Sequence, residues 1–289
     1  MKLRFLLLLL AVMIPYVLLG KIQVNKGGFY EGNHRMEIVG VNIDSEFIKK
    51  DSLKHLRNMG FNALRVKVNN SDELKHILKS IRKQKMGLWV VLANDFDIST
   101  ITKLKKYREI LAWEVPNLEI ATQLKKNISD QLVCVSCEEG KTISQSPSRE
   151  RLERSNYVDC LTMQLCPVDY GWVAPTNLFL GIKNAFLQMT LYTEELYRTS
   201  NNKPLVVTSC TYPRDKMFRY EGSSTMNRDA FFAAVLSKMK GEAPQIAACF
   251  FSYWTEVATI SDDTPRKRAS YSIYASDEST KQIILSNTK

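Results

Sequence analysis

Eight short apolar runs, separated by segments with helical patterning, constrain the fold of this chain more than any other feature. Runs so nearly continuous in apolar residues are typical of parallel strands whose two faces are both covered. The runs lie at 36–42, 63–68, 87–93, 110–115, 132–136, 160–165, 204–208 and 246–251. Eight strands that alternate with helices predict an α/β fold, the (β/α)8 TIM barrel.

The helical segments carry their own start and stop signals. Segment 71–85 opens with Ser-Asp-Glu and places leucine and isoleucine along one face. Another helix is predicted over 227–240, with Asn227 as its N-cap and Gly241 as its stop. The chain has 289 residues, near the roughly 250 of a TIM barrel, so we predict a single domain over 22–289.

The first twenty residues are predicted to be a secretory signal peptide, 1–20, which implies a secreted or periplasmic protein. A basic start is followed by a run without charge over 5–20. This run is shorter than the roughly 20 residues that a membrane span needs, which favours cleavage. The pair Leu18 and Gly20 departs from the usual small-residue cleavage pattern. An uncleaved N-terminal membrane anchor is therefore the alternative.

The net charge of +10 is dispersed along the chain. Lysine and arginine recur in predicted helices, for example over 49–57 and 75–85, which favours solvated helix faces over a polyanion-binding patch. The chain shows neither an aromatic-studded basic motif nor a helix-turn-helix signature. A signal peptide also argues against nucleic acid, so no nucleic-acid partner is predicted.

The cysteines and histidines suggest no metal site and no cofactor. Six cysteines, at 134, 137, 160, 166, 210 and 249, fall in or just after apolar runs. Cys134 and Cys137 are three apart on a predicted strand and should point to opposite faces, which argues against a metal or redox pair. Buried free thiols are the favoured state, and a Cys166–Cys210 disulfide is the alternative. Three histidines, at 34, 55 and 76, form no zinc pattern.

In a TIM barrel the reacting residues stand at the C-terminal ends of the strands. In this chain those positions are 42–44, 69, 94–95, 116–119, 137–139, 164–167, 209–210 and 252–254. They are largely polar with some aromatic residues. Such a composition suits a carbohydrate-binding cleft.

Several motifs occur in the order found in one glycosidase family. Residues 40–42 resemble its first strand, and 62–66 resemble its second strand with a cleft arginine, here Arg65. Residues 110–117 are similar to a Trp-Glu-Leu-Ala-Asn-Glu-Pro motif, and 203–215 resemble Lys-Pro-Leu-Val-Leu-Glu-Glu-Phe-Gly-Tyr-Pro-Arg-Asp. From about residue 28 to its end, the chain therefore resembles glycoside hydrolase family 5, in the endo-β-1,4-mannanase branch. The resemblance implies a TIM barrel that acts on β-mannan.

The resemblance also places the catalytic positions, and here the chain departs from the family. Retaining glycosidases use two carboxylic acids about 5 Å apart, one as acid/base and one as nucleophile. The acid/base position falls on Leu118 and the nucleophile position on Ser209. Glu119 is the candidate that a local bulge would bring into the acid/base position. No comparable candidate replaces the nucleophile, because a serine without a histidine base cannot stabilise the oxocarbenium-like charge.

The resemblance further implies a set of cleft residues, each with a structural alternative. The set is Arg65, Trp113, Asn117, Gln164 and Trp254. Arg65 has the alternative of an interior cation paired with a strand-end acid. Trp113 is favoured as a packing residue. Trp254 is the better candidate for a sugar-stacking platform, although it too has the alternative of capping the core.

These observations leave three hypotheses about function. The leading one is a mannanase-like barrel that has lost hydrolysis and retains glycan binding. The second is an active or weakly active hydrolase of β-mannan-type polysaccharide that uses Glu119. The third is a barrel that serves only as a scaffold for protein interaction. In each case a membrane is a partner only where the N-terminal segment stays uncleaved.

Overall fold

The computed structural model describes residues 22–137, 156–173, 178–215, 222–241, 246–255 and 270–288. In chain order the strands are β1 (Ile22–Asn25), β2 (Gly28–Glu31), β3 (His34–Met36), β4 (Ile38–Asn42), β5 (Ala63–Val68), β6 (Gly87–Leu92), β7 (Ile110–Val115), β8 (Leu132–Val135), β9 (Leu161–Leu165), β10 (Leu205–Cys210), β11 (Ala248–Phe251), β12 (Trp254–Thr255) and β13 (Ile273–Tyr274). The α-helices are α1 (Lys50–Asn58), α2 (Ser71–Arg82), α3 (Ile101–Leu104), α4 (Leu118–Asn127), α5 (Leu178–Thr199), α6 (Thr225–Lys240) and α7 (Glu278–Thr288).

The predicted barrel is confirmed. Strands β4 to β11 form one eight-stranded sheet in the order β8-β7-β6-β5-β4-β11-β10-β9, and every printed pairing within it is parallel. Strand β11 pairs back with β4, which closes most of the circle. The remaining seam lies between β8 and β9. There the Asp159 amide donates to the Val133 carbonyl at 2.8 Å, and the Thr162 hydroxyl donates to the Val135 carbonyl.

Each barrel strand divides its side chains between two apolar layers. On β5, Leu64, Val66 and Val68 face outward into the layer between sheet and helices. The alternate residue Ala63 belongs to the barrel interior instead. Because alternate strand residues point to opposite faces, burial on both faces explains why the strands read as nearly continuous apolar runs.

A small antiparallel sheet of β1, β2 and β3 covers the N-terminal end of the barrel. Its Phe29 is fully buried and packs with the interior residues at the starts of the strands. The Phe29 ring lies 6.2 Å from that of Trp89, which lies 5.4 Å from that of Phe250. Aromatic packing therefore fills this end of the barrel, and the open end is the C-terminal one.

Two helix starts differ from the sequence prediction by a few residues. The N-cap of α2 is Asn70, whose side chain accepts from the Asp72 and Glu73 amides. The N-cap of α6 is Ser224, which accepts from the Asn227 amide, so Asn227 lies inside the first turn. The stop of α6 at Gly241 is as predicted.

A buried cation joins the last two helices. Arg228 of α6 is fully buried and donates to Asp277 at 3.1 Å, to Thr280 and to the Ser272 carbonyl. Asp229 accepts from Thr280 at 2.7 Å. Since a buried guanidinium needs charge and hydrogen-bond partners, this network fixes α7 against α6.

All six cysteines, each within the described residues, are free thiols, so Cys166 and Cys210 are not bonded to each other. Burial, followed by a hydrogen bond to Cys160, raises the pKa of Cys134. Burial and Cys249 act in the same way on the pKa of Cys210. These thiols are therefore uncharged and weakly nucleophilic. Within the described part of the chain, no helix is both long and apolar enough to cross a membrane.

Substitution of Gly40 by alanine tests how tightly the barrel interior is packed. A β-carbon at this position would lie 2.5 Å from the Phe250 ring and 2.7 Å from the Ala63 carbonyl oxygen. We expect Gly40→Ala to lower the free energy of unfolding by about 1–3 kcal/mol, measured by urea denaturation. Gly241→Ala is the control, because its β-carbon would meet nothing nearer than 3.4 Å. Equal stability of the two variants would contradict a close-packed interior at β4.

Candidate functional site

The open end of the barrel contains one connected polar network. Glu114 on β7 accepts from Arg65 on β5 through two hydrogen bonds, Nε–Oε2 at 2.8 Å and Nη2–Oε1 at 2.6 Å. The Trp89 indole donates to Oε2 at 2.9 Å, and the Ser136 hydroxyl donates to Oε1 at 2.8 Å. Both carboxylate oxygens of Glu114 therefore have two donors each.

Asn42 extends this network to the other side of the barrel. Its Oδ1 accepts from Arg65 Nη1 at 2.8 Å. Its Nδ2 donates to the Thr208 carbonyl at 3.0 Å and to the Phe251 carbonyl at 2.9 Å. The carboxamide thus ties β4 to β10 and β11, and it connects Arg65 with the residue before Ser209.

A strand irregularity puts Glu114 inside the barrel. The register between β6 and β7 shifts by one residue, from Leu88–Ile110 to Trp89–Ala112. Beyond the shift, the interior residues Trp89 and Ala112 stand side by side, and Glu114 follows two residues later on the same face. Trp113 therefore faces outward.

The charges of the pair are stabilised by each other. Glu114 is fully buried, and the Arg65 side chain is 21% exposed. Burial alone would raise the pKa of Glu114, but the Arg65 charge and the hydrogen bonds from Arg65, Ser136 and Trp89 outweigh it and lower the pKa. Burial alone would likewise lower the pKa of Arg65, and Glu114 outweighs it. Glu114 is thus an anion whose acceptor sites are occupied, so it can neither donate a proton nor attack a sugar.

The position that the resemblance assigns to the acid/base lies in a helix start. Leu118 is the first residue of α4, and its side chain packs against the layer between sheet and helices. Asn117 is the N-cap, and its side chain accepts from the Ile120 amide at 3.0 Å. Glu119 lies in the first turn of α4 and is exposed to solvent. A carboxylate there stabilises the helix end.

The position assigned to the nucleophile is at the end of β10. Ser209 is half-buried and pairs with Gln164 of β9 after a register shift at Thr208. The sulfur of Cys166 is 4.0 Å from the Ser209 carbonyl oxygen. The sequences of β9, β10 and β11 contain no carboxylate. This side of the barrel is polar without an acid.

The two tryptophans of the predicted cleft are buried in the layer between sheet and helices. Trp113 is fully buried, and its indole nitrogen donates to Gln131 at 2.8 Å. Trp254 is 1% exposed, with its ring 6.2 Å from that of His55. Neither ring has the exposed face that stacking on a sugar requires. Arg65, by contrast, reaches the cleft as well as its partner Glu114.

Sequence reasoning missed an aromatic cluster beyond β9. The Tyr170 ring lies 5.0 Å from Trp172, which lies 5.5 Å from Tyr192 on α5. The Tyr170 hydroxyl donates to the Gln164 carbonyl at 3.2 Å. Burial, followed by the nearby Cys166 thiol, raises the pKa of Tyr170, so its phenol stays neutral. The spacing of Tyr170 and Trp172 just after a strand end was the available signal.

The described residues include no group of three or more histidine, cysteine, aspartate or glutamate side chains that could hold a metal ion. Within the described chain, the donors at the open end are an arginine, amides, hydroxyls and one occupied carboxylate. This set suits hydrogen bonding to a polyol.

The barrel and its polar open end define a protein of the glycoside hydrolase type. The family model described as glycoside hydrolase family 5, β-mannosidase-like, matches residues 108–289, well over half of the chain. The chain belongs to this family. No curated protein matches it significantly. The narrower endo-β-1,4-mannanase branch is not established by this match and is treated as a proposal below.

Solved structures share the fold at low sequence identity. A glycoside hydrolase family 2 β-galacturonidase from Eisenbergiella tayi, bound to galacturonate, has a TM-score of 0.61 and 12% identity over 92% of this chain. A β-glucuronidase from Ruminococcus gnavus in complex with uronic isofagomine has a TM-score of 0.64 and 8% identity over 90%. This chain covers 54% and 53% of those chains, about half their length. At such identities the likeness shows the fold alone.

Breaking the central ion pair tests its role in stability. Arg65→Met would leave the buried Glu114 carboxylate without its cation, and we expect a loss of about 3 kcal/mol in the free energy of unfolding. The double variant Arg65→Met/Glu114→Met should be destabilised by less than the sum of the single variants. Arg82→Met is the control, because it breaks a pair with Glu109 in which the arginine is 60% exposed. That control should change stability by at most about 1 kcal/mol.

Acid should weaken the fold through Glu114. Its pKa is lower in the folded protein than its ordinary value of 4.5, so its contribution is complete above that value and is lost as pH falls through the folded pKa. We expect the stability difference between wild type and Glu114→Gln, measured by urea denaturation, to shrink as pH falls below about 4.5. Parallel pH curves for the two proteins would contradict an ionised Glu114.

Proposed function

We propose that this protein is an exported, mannanase-like member of its family that has lost hydrolysis and retains glycan binding. The observation that carries the proposal is the state of Glu114. This carboxylate faces the barrel interior at the open end, and four donors occupy its two oxygens. A glycosidase needs two carboxylates that are free to act.

The nucleophile side supports the same conclusion. Ser209 takes the position where the family has a glutamate, and β9, β10 and β11 supply no other acid. A serine nucleophile needs a basic neighbour. Of the three histidines, His34 lies on β3, at the closed end, and His55 and His76 lie in helices α1 and α2. None of them is on a strand end beside Ser209.

The acid/base side also lacks a positioned group. Leu118 packs away from the interior, and Glu119 extends into solvent from the first turn of α4. Moving Glu119 into the cleft would require unwinding the start of this helix, which the Asn117 cap opposes.

Glycan binding is supported by the donors that remain. Arg65 has five N–H groups and uses three of them on Glu114 and Asn42, which leaves two. Gln164 and Ser209 stand side by side on neighbouring strands and are both partly exposed. Tyr253, just past β11, is close enough to Arg65 to influence its charge. We take β-mannan as the ligand because of the motif resemblance and the β-mannosidase-like family.

Titration calorimetry with mannohexaose tests binding. We expect wild type to bind and Gln164→Ala to bind on the order of tenfold more weakly, since one amide hydrogen-bonding group is removed from the cleft. Gln123→Ala is the matched control, because Gln123 is exposed on the outer surface of α4. Equal loss in both variants, or no binding by wild type, would contradict the proposed site.

The same samples test for catalysis. Reducing-sugar release from mannan by wild type should not exceed the rate without protein. Turnover by wild type would overturn the loss of hydrolysis. Glu119→Gln would then show whether the exposed carboxylate of α4 is the acid.

A further inference from the structure

The closed end of the barrel has a cationic surface. Five exposed residues, here called the basal patch, precede strands β6 and β7: Lys83, Lys85, Lys105, Lys106 and Arg108. Since the loops that precede the strands of a parallel barrel all lie at its N-terminal end, the patch is on the face opposite the cleft. Unlike the helix-face lysines, these cations are concentrated on two neighbouring connections.

Ion pairs tie the two connections together without neutralising the patch. Arg82, at the end of α2, donates to Glu109 at 2.6 Å. The guanidinium of Arg82 and the ammonium of Lys106 lie 5.6 Å and 5.5 Å from the Tyr107 ring centroid. Glu109 is therefore committed to Arg82, which is not a member of the patch.

A recess of about 340 Å³ lies within this surface. Three members of the basal patch line it, together with Ile22, Tyr107 and strand-start residues of β7 and β8. Asp130 is the one carboxylate among the lining residues, and it is exposed. The recess is thus apolar at its base and predominantly cationic at its rim.

The N-terminal segment joins the barrel at this recess. Ile22, the first described residue and the start of β1, is one of its lining residues. The preceding sequence has Lys21 and then an uncharged run over 5–20. An apolar segment beside clustered lysines is the arrangement that favours an anionic lipid surface, because the cations lie within a Debye length of the headgroups.

We propose that the basal patch docks on an anionic phospholipid membrane, with the apolar segment 5–20 retained as its anchor. The partner is a bilayer surface with negatively charged headgroups. Each lysine or arginine close to such a surface strengthens association, and the patch supplies them on one face. The anchor alone is short for a span, so a second attachment through charge makes membrane association stable.

Vesicle flotation of the full chain tests this docking. The measured quantity is the ratio of partitioning into phosphatidylcholine vesicles containing phosphatidylglycerol to that into phosphatidylcholine alone. Since every variant keeps the N-terminal segment, a change in this ratio isolates the patch. The ratio of wild type should exceed that of Lys105→Gln/Lys106→Gln/Arg108→Gln on the order of 10- to 100-fold, and salt should reduce the difference.

A variant with the same loss of charge provides the control. Lys49→Gln/Lys50→Gln/Lys54→Gln removes three exposed cations at the start of α1, on the side of the cleft. It should keep the ratio of wild type. Lys83→Gln/Lys85→Gln gives an independent test from the other connection and should lower the ratio. Thermal melting checks that all variants are folded.

Three results would overturn the proposal. Equal reduction by the two triple variants would show that only net charge matters. A ratio near one for wild type would show that the patch does not recognise anionic lipid. Loss of the vesicle preference in soluble polygalacturonate, with tighter binding of the patch to that polyanion, would assign the patch to an acidic polysaccharide instead.

Discussion

The open end of this barrel depends on one buried ion pair. Removing a carboxylate from water is costly, and Glu114 is fully buried. The bidentate Arg65 contact, with Trp89 and Ser136, offsets that cost, and Asn42 carries the network across to β10 and β11. A single connected set of polar side chains therefore fixes the relative position of strands on opposite sides of the barrel, where an apolar core could not specify which groups face the cleft.

The same pair explains why the cleft is not set up for hydrolysis. Asn42 connects Arg65 to the Thr208 carbonyl, next to the position that the family resemblance assigns to the nucleophile. A carboxylate at 209 would compete with Glu114 for the guanidinium. With serine there, Arg65 is free to form both of its strong hydrogen bonds to Glu114. The loss of the nucleophile and the closed state of the ion pair are thus two sides of one electrostatic arrangement.

The sequence predicted the barrel because strand and helix periods recur eight times, and no single error changes that count. The site was harder, because one-residue shifts reverse the facing of side chains. The irregularity at Leu111 turns Glu114 inward and Trp113 outward, and another at Thr208 brings Ser209 beside Gln164. Nothing in the local residue pattern marks either shift. Sequence reasoning therefore identified Arg65 but left its partner as an unnamed strand-end acid.

The two ends of the barrel differ in the work they can do. At the closed end, Phe29 and Trp89 fill the interior, so the cations there can act only on the outer surface. At the open end, Arg65 is the main charge and is balanced by Glu114. A barrel strand of six residues spans about 20 Å, so a protein resting on its closed end would hold its cleft about that far from the lipid and facing away from it. Attachment and glycan binding would then use opposite faces, and neither would obstruct the other.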